Sequence, residues 1–189
     1  MKLNDEIHIN SSREEVFTAL NNTEILRKSI PGCEKIKRIS EAELEVVVVA
    51  KIGPIKAKFN GQVSISDLNP PESYTITGEG SGGAAGFAKG GAKVFLEENG
   101  MATILRYEVQ AEVGGKIAQL GGRLIDGAAK KLAGEFFNNF LTAVTVQELV
   151  KEDLTNDAST NNGKGTRTSR PPVLVYLGII SIVILYFFL

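Results

Sequence analysis

Few residues in this chain could do bond-making chemistry, and their spacing limits what that chemistry could be. There is one histidine, His8, and one cysteine, Cys33. A lone imidazole excludes His₂ and His₃ metal sites and leaves no second histidine for a proton relay, and a lone thiol excludes a disulfide, an iron–sulfur cage and a C-x-x-C redox pair. No two carboxylates stand at acid/base spacing and no nucleophile has a base beside it. Asp126 falls at helical spacing from Arg123 and Lys130, which reads as surface pairing. Gly78-x-Gly80-x-x-Gly83 fits the dinucleotide fingerprint, but that fingerprint must open a helix, and Ala88–Glu97 reads as a strand. No Lys-Ser/Thr follows, so a phosphate-binding P-loop is excluded too.

What is left is a polar handle in apolar surroundings. Tyr107 alternates with Arg106 along one strand and shares its parity with Leu105 and Val109, so it points to the interior. A buried tyrosine can hydrogen-bond a ligand carbonyl or satisfy itself on the backbone, and the sequence leaves both open. Seven of the fourteen residues from Gly78 to Gly91 are glycine. They mark either backbone close approach or a cavity, with Phe87 the only large apolar side chain among them. Gly121, Gly122, Gly127, Ala128, Ala129, Ala133 and Gly134 are small residues in one helical stretch, where each glycine costs about 1 kcal/mol relative to alanine. Close contact with a sheet is one reason for them. Space for a flat apolar ligand, walled by Leu120, Leu124, Leu132 and Phe136, is the other.

The elements that position these residues follow from periodicity. Leu3–Ile9 reads as a strand, and Ser12-Arg13-Glu14-Glu15 is a capping box opening a short helix. A second short helix spans about Glu24–Ser29. Six apolar, β-branched segments follow at about Cys33–Ser40, Glu43–Ile52, Ile55–Leu68, Tyr74–Glu79, Ala88–Glu97 and Thr103–Val113. Their connections are short, so consecutive strands pair antiparallel. From Ile117 through Leu120, Leu124, Ala128, Leu132, Phe136, Phe140 and Val144 the period becomes helical, predicting one long amphipathic helix to about Lys151. The expected fold is α+β: a curved antiparallel sheet wrapped around a long C-terminal helix, each burying the other's apolar face.

The 189 residues divide into three parts. Residues 1–150 form the domain. Residues 151–172 are a polar linker with too few apolar side chains to order itself. The final stretch, Val173–Leu189, carries no charge and predicts a single-pass transmembrane anchor about 26 Å long. Lys164, Arg167 and Arg170 precede it, so the positive-inside rule places the domain in the cytoplasm. With Lys+Arg 21 against Asp+Glu 22, nothing suggests nucleic-acid binding. Lys51, Lys56, Lys58, Lys89 and Lys93 form either an ordinary solvated face or a contact with anionic lipid.

Three segments, "GPIKAKFNG" at Gly53–Gly61, "GEGSGGAAGFAKGGAKV" at Gly78–Val94 and "VGGKIAQLGGRLIDGAAKKLAGEFFNNF" at Val113–Phe140, resemble the G-subunit (CoxG) family of carbon monoxide dehydrogenase. That family belongs to the START-like (SRPBCC) superfamily of helix-grip folds, and the resemblance covers residues 1–150. It implies a membrane-linked accessory protein of a molybdenum CO dehydrogenase, or of a related molybdenum hydroxylase, that handles quinone. A quinone (menaquinone or ubiquinone) needs an apolar cavity and one or two donors. Phe59, Phe87, Phe95, Tyr107, Leu120, Gly121, Leu124, Ala128, Leu132 and Phe136 are the residues expected to line it. The alternatives are a recruitment factor without a ligand, and a START-like cyclase or hydrolase.

Overall fold

A computed structural model describes residues 1–157, with side chains through 145. The chain runs β1 (Lys2–Ile9), α1 (Arg13–Leu20), α2 (Thr23–Ser29), then β2 (Cys33–Arg38), β3 (Glu43–Ile52), β4 (Ile55–Asn69), β5 (Ser73–Ser81), β6 (Phe87–Asn99) and β7 (Ala102–Gly114), and ends in α3 (Gly122–Asp157). The strands form one seven-stranded sheet in the order β1-β7-β6-β5-β4-β3-β2, every neighbouring pair antiparallel. β2 to β7 is therefore a plain meander, and β1 closes it by pairing with the last strand.

Local chemistry starts and stops the helices. The Glu15 backbone N–H donates to the Ser12 hydroxyl while the Glu15 carboxylate accepts from the Ser12 N–H, so the capping box forms as read. Asn22 caps α2 by accepting from the N–H groups of Glu24 and Ile25. The Thr103 hydroxyl donates to the Ser11 carbonyl at 2.8 Å, tying β7 to the β1–α1 corner in a buried position.

Strand alternation sends one face of the sheet inward. Val46, Val48, Phe59, Val63, Tyr74, Ile76, Val94, Leu105, Tyr107 and Val109 are buried in one core with Phe17 and Leu20 of α1, Leu26 of α2, and Phe136, Phe137, Phe140 and Val144 of α3. The glycines of β5 and β6 have a steric reason in the sheet itself. A Cβ on Gly78 would stand 2.5 Å from the Gln62 carbonyl oxygen, and one on Gly90 would stand 2.1 Å from that of Gln110. Both distances are far inside van der Waals contact, so backbone crowding in a coiled sheet, and not a void, accounts for these two glycines.

The long helix differs from its expected outline at both ends. Gly121 adopts φ +83°, a left-handed conformation that breaks the helix, so Ala118–Leu120 form a separate 3₁₀ turn and α3 starts at Gly122. At the far end α3 continues to Asp157, so the first residues assigned to the linker are helical. Among the described residues no helix is long and apolar enough to cross a membrane. The expected anchor, Val173–Leu189, and the linker from 158 onward lie outside the described residues.

Candidate functional site

Tyr107 is the centre of the site. It lies on β7 with its side chain inward, 2 % exposed, its ring stacked on Phe137 at 5.5 Å. Phe137 in turn meets Phe136 edge-on at 5.1 Å, and Phe136 stacks on Phe140 at 5.8 Å, so an aromatic ladder along α3 holds the tyrosine ring from above. Among the described residues the Tyr107 hydroxyl has no hydrogen-bond partner, so it does not satisfy itself on the backbone. Burial, and next the charge of Asp5, push its pKa up, so it stays protonated and able to donate.

Beside the ring a groove of about 480 Å³ opens between the β1 edge and α3. Leu3 and Ile7 line one side, Ala133 and Phe137 the other, and Asp5 and Lys130 bring charge to it. Asp5 sits directly across from Tyr107 in the β1–β7 register, a carboxylate set into an otherwise apolar alternate set of Leu3, Ile7 and Ile9. Gly134 also borders the groove, and a Cβ placed on it would meet nothing within 4 Å. The same holds for Gly127. Close contact with the sheet therefore does not explain the interior glycines of α3. At position 134 the missing side chain leaves open space.

The sheet register adds a residue that the sequence reading passed over. Tyr74 on β5 pairs with Val94, which pairs with Tyr107, so two tyrosines occupy one cross-strand row of the inward face, two strands apart. Two strand spacings are about 9.6 Å. Tyr74 is 2 % exposed, its ring edge-on to Phe17, and its hydroxyl is buried without a partner, its pKa raised well above normal by burial. Its parity was legible: Ser73, Thr75 and Thr77 alternate with Tyr74 and Ile76. An orphaned buried hydroxyl costs about 1–3 kcal/mol. Tyr74→Phe should therefore raise the midpoint of urea unfolding in ligand-free protein, by about 1 kcal/mol or more at unchanged slope. A lowered midpoint would mean that the hydroxyl has a partner.

Of the ten residues expected to line a cavity, Phe59, Tyr107 and Phe136 are fully buried on the inner side. Phe87 and Phe95 are not there. Val94 and Leu96 point inward, so Phe95 points outward and is 44 % exposed, in the same parity as Lys89 and Lys93. Phe87 lies over the backbone of Gly114 at the outward edge, 48 % exposed. The leucines lag for a helical reason. A strict i+4 series drifts about 40° per step, so three steps carry Leu124 about 120° from Phe136. Leu124 is accordingly 40 % exposed, Leu120, Ala128 and Leu132 are half-buried, and Gly121 is exposed. The buried stripe is instead Ile125, Ala129, Ala133, Phe136, Phe137, Phe140 and Val144.

The remaining reactive groups lie apart from the groove. His8 is exposed and meets Glu6 at 3.3 Å. The Cys33 thiol donates to the Lys35 carbonyl at 3.7 Å, and burial raises its pKa. Among the described residues Asp126 pairs with neither Arg123 nor Lys130, and the ion pair formed along α3 is Lys131–Glu135 at 3.8 Å. No three His, Cys, Asp or Glu side chains among the described residues are placed to hold a metal ion. A larger depression, about 740 Å³, lies on the outward face of the sheet, where Lys35, Glu45, Asn60, Gln62, Glu79 and Lys89 surround Val47 and Phe87, so of the expected cavity residues Phe87 lines this depression and not the groove.

The family model for the carbon monoxide dehydrogenase G-subunit (CoxG) matches residues 6–145. The chain belongs to this family. Solved structures agree on the START-like fold. A conserved protein from Geobacillus kaustophilus is 32 % identical, with a TM-score of 0.73 over 77 % of this chain and 95 % of its own. A protein from Thermus thermophilus, 15 % identical, gives 0.60 over 78 % of this chain and 99 % of its own, and shares the fold. The Zhui aromatase/cyclase from a Streptomyces species, 8 % identical, gives 0.55 over 77 % and 93 %, and likewise shares the fold alone. No curated protein matches the chain. In this CoxG-family chain the match begins within β1, after the groove residues Leu3 and Asp5, and ends within α3.

Proposed function

We propose that this chain is a membrane-anchored accessory protein that binds a lipophilic ligand, a menaquinone or ubiquinone, and links a cytoplasmic molybdenum CO dehydrogenase or related hydroxylase to the quinone pool. The observation that carries the reading is the Tyr107 hydroxyl: a protonated donor without a partner among the described residues, beside a groove with apolar walls at Leu3, Ile7, Ala133 and Phe137, charges at Lys2, Asp5 and Lys130, and open space at Gly134. A quinone carbonyl is an acceptor of the right kind, and a quinone ring is flat and apolar enough to lie along Ala133 and Phe137. The family name points to the dehydrogenase as partner. The uncharged Val173–Leu189 segment and the basic residues before it support the anchor and its orientation. The role needs no redox centre of its own.

A second reading, recruitment of the enzyme without a ligand, draws on the three hairpin tips at one end of the sheet. Ile39, Leu68 and Met101 are exposed there, Met101 at 93 %, as an apolar surface for a protein partner. An enzymatic role, as in the cyclase that shares the fold, has no support in the groove, where Tyr107, Asp5 and Lys130 are the titratable side chains besides Lys2.

The readings separate in one experiment. A chain ending after Asp157 is purified without added ligand and extracted with organic solvent, and quinones are sought by mass spectrometry and ultraviolet absorbance. Near-stoichiometric quinone is expected, and Tyr107→Phe should weaken its retention by about three- to tenfold, the worth of one hydrogen bond. An empty protein that also ignores added quinone would leave recruitment as the function.

A further inference from the structure

The two ends of the sheet carry opposite charge, and the end that gathers the β3–β4, β5–β6 and β7–α3 connections is basic. The three are stitched together. The Ile117 N–H donates to the Ala85 carbonyl at 3.0 Å, the Gly86 and Gly115 backbones lie so close that a Cβ on Gly115 would stand 2.5 Å from the Gly86 Cα, and the Leu124 side chain lies against Gly53. No Asp or Glu occurs between Val46 and Ser66, between Ser81 and Glu97, or between Val113 and Ile125, and Asp126 is the one exposed carboxylate in the first turns of α3 beside them. Lys51, Lys56, Lys116 and Arg123 are all exposed there. Half-exposed apolar groups, Phe87 at 48 % and Leu124 at 40 %, stand among them. The opposite end, by contrast, carries Glu41, Glu43, Asp67, Glu72, Glu97 and Glu98 around its three tips, of which Glu72 and Glu98 pair with Arg13 and Glu97 with Arg106, and Arg38 stands beside Glu41 and Glu43.

Lys51 and Lys56 make the strongest case that this charge has an external partner. They are directly opposed across the β3–β4 ladder, a like-charge pair that weakens the hairpin. Carboxylates elsewhere on the sheet answer nearby lysines: Glu34 meets Lys58 at 2.6 Å and Glu112 meets Lys89 at 3.1 Å. Among the described residues none of Lys51, Lys56, Lys116 and Arg123 forms an ion pair. Four unanswered cations framing exposed apolar side chains are complementary to a surface of anionic headgroups over hydrocarbon.

We infer that this basic end is the face the domain lays on an anionic bilayer, with Lys51, Lys56, Lys116 and Arg123 on lipid phosphates and Leu124 and Phe87 toward the interface. The contact belongs to the folded domain, and it holds whichever ligand the groove takes and whether or not it takes one.

The chain contains no tryptophan, so a single introduced one reports position without background. Gln119, exposed in the 3₁₀ turn of the basic end, and Met101, at the acidic tip of the β6–β7 hairpin, are the two sites. The full chain carrying Gln119→Trp is mixed with vesicles of brominated phosphatidylcholine, either alone or with an equal part of phosphatidylglycerol. Quenching and a blue shift are expected in the anionic vesicles alone. Both should disappear at about 1 M salt, where the screening length is about 3 Å. The charge reversal Lys51→Glu/Lys56→Glu should also abolish them, and the salt series decides if that variant fails to fold. Met101→Trp should stay unquenched. Equal quenching of the two reporters, equal quenching in neutral vesicles, or none in anionic ones overturns the inference; the last result leaves an acidic protein surface as the partner. A quenched Gln119→Trp in a domain that holds no quinone would sink the carrier reading and leave this one standing.

Discussion

Gly134→Leu should fold as well as the native protein and fail to hold the ligand. The position is solvent-facing in mid-helix, and no atom lies within 4 Å of where its Cβ would be, so the new side chain meets no backbone. Replacing glycine by a good helix former adds about 1 kcal/mol of helix stability, a rise of about 2–4 °C in Tm for a domain this size. The leucine would occupy the groove beside Ala133 and Phe137, where the ligand ring is proposed to lie. Displacing about 100 Å² of apolar ligand contact at about 25 cal/mol per Å² weakens binding by between tenfold and a hundredfold, roughly. Thermal unfolding and quinone titration of the same preparation measure both halves. Undiminished binding with raised stability would show that the groove is not the site.

Phe136→Ala should produce the largest stability loss, about 3–5 kcal/mol. The ring is completely buried and bridges Phe137 and Phe140, so its removal breaks two aromatic contacts as well as leaving a cavity between α3 and the sheet. Against a typical domain stability of about 5–15 kcal/mol, this removes about a fifth or more of the total and lowers Tm by about 6–20 °C. Phe95→Ala is the control. That ring is 44 % exposed on the outward face, and its removal should cost no more than about 1 kcal/mol. Urea titrations of the two variants give the comparison directly. Similar losses from both would contradict the assignment of the sheet faces.

The element order was legible because it rests on local rules. The capping box at Ser12 and Glu15, the alternation that buries Tyr107 and the turn residues at Gly53-Pro54 act over a few residues, and each formed where the sequence places it. Alternation even carried the information that Phe95 shares the parity of Lys89 and Lys93, although its aromatic character suggested otherwise. The motifs at Gly53–Gly61, Gly78–Val94 and Val113–Phe140 likewise sufficed to place the chain in the CoxG family.

Three things depended on the tertiary structure, because each compares atoms far apart in the chain. The rotation of α3 was one: the choice between an i+4 leucine series and the stripe through Ile125, Ala129 and Phe137 is made by which side meets the sheet. The glycines were another, since Gly78 of β5 and Gly90 of β6 relieve collisions with a neighbouring backbone whereas Gly134 faces open space, and composition treats them alike. The row Tyr74–Val94–Tyr107–Asp5 was the third, drawn from four strands by a register that no local pattern encodes. The sequence by itself determined the elements, the burial parity and the family. The tertiary structure decided which side chains face one another, because a site is a set of distances between segments, and burial patterns within a segment do not contain them.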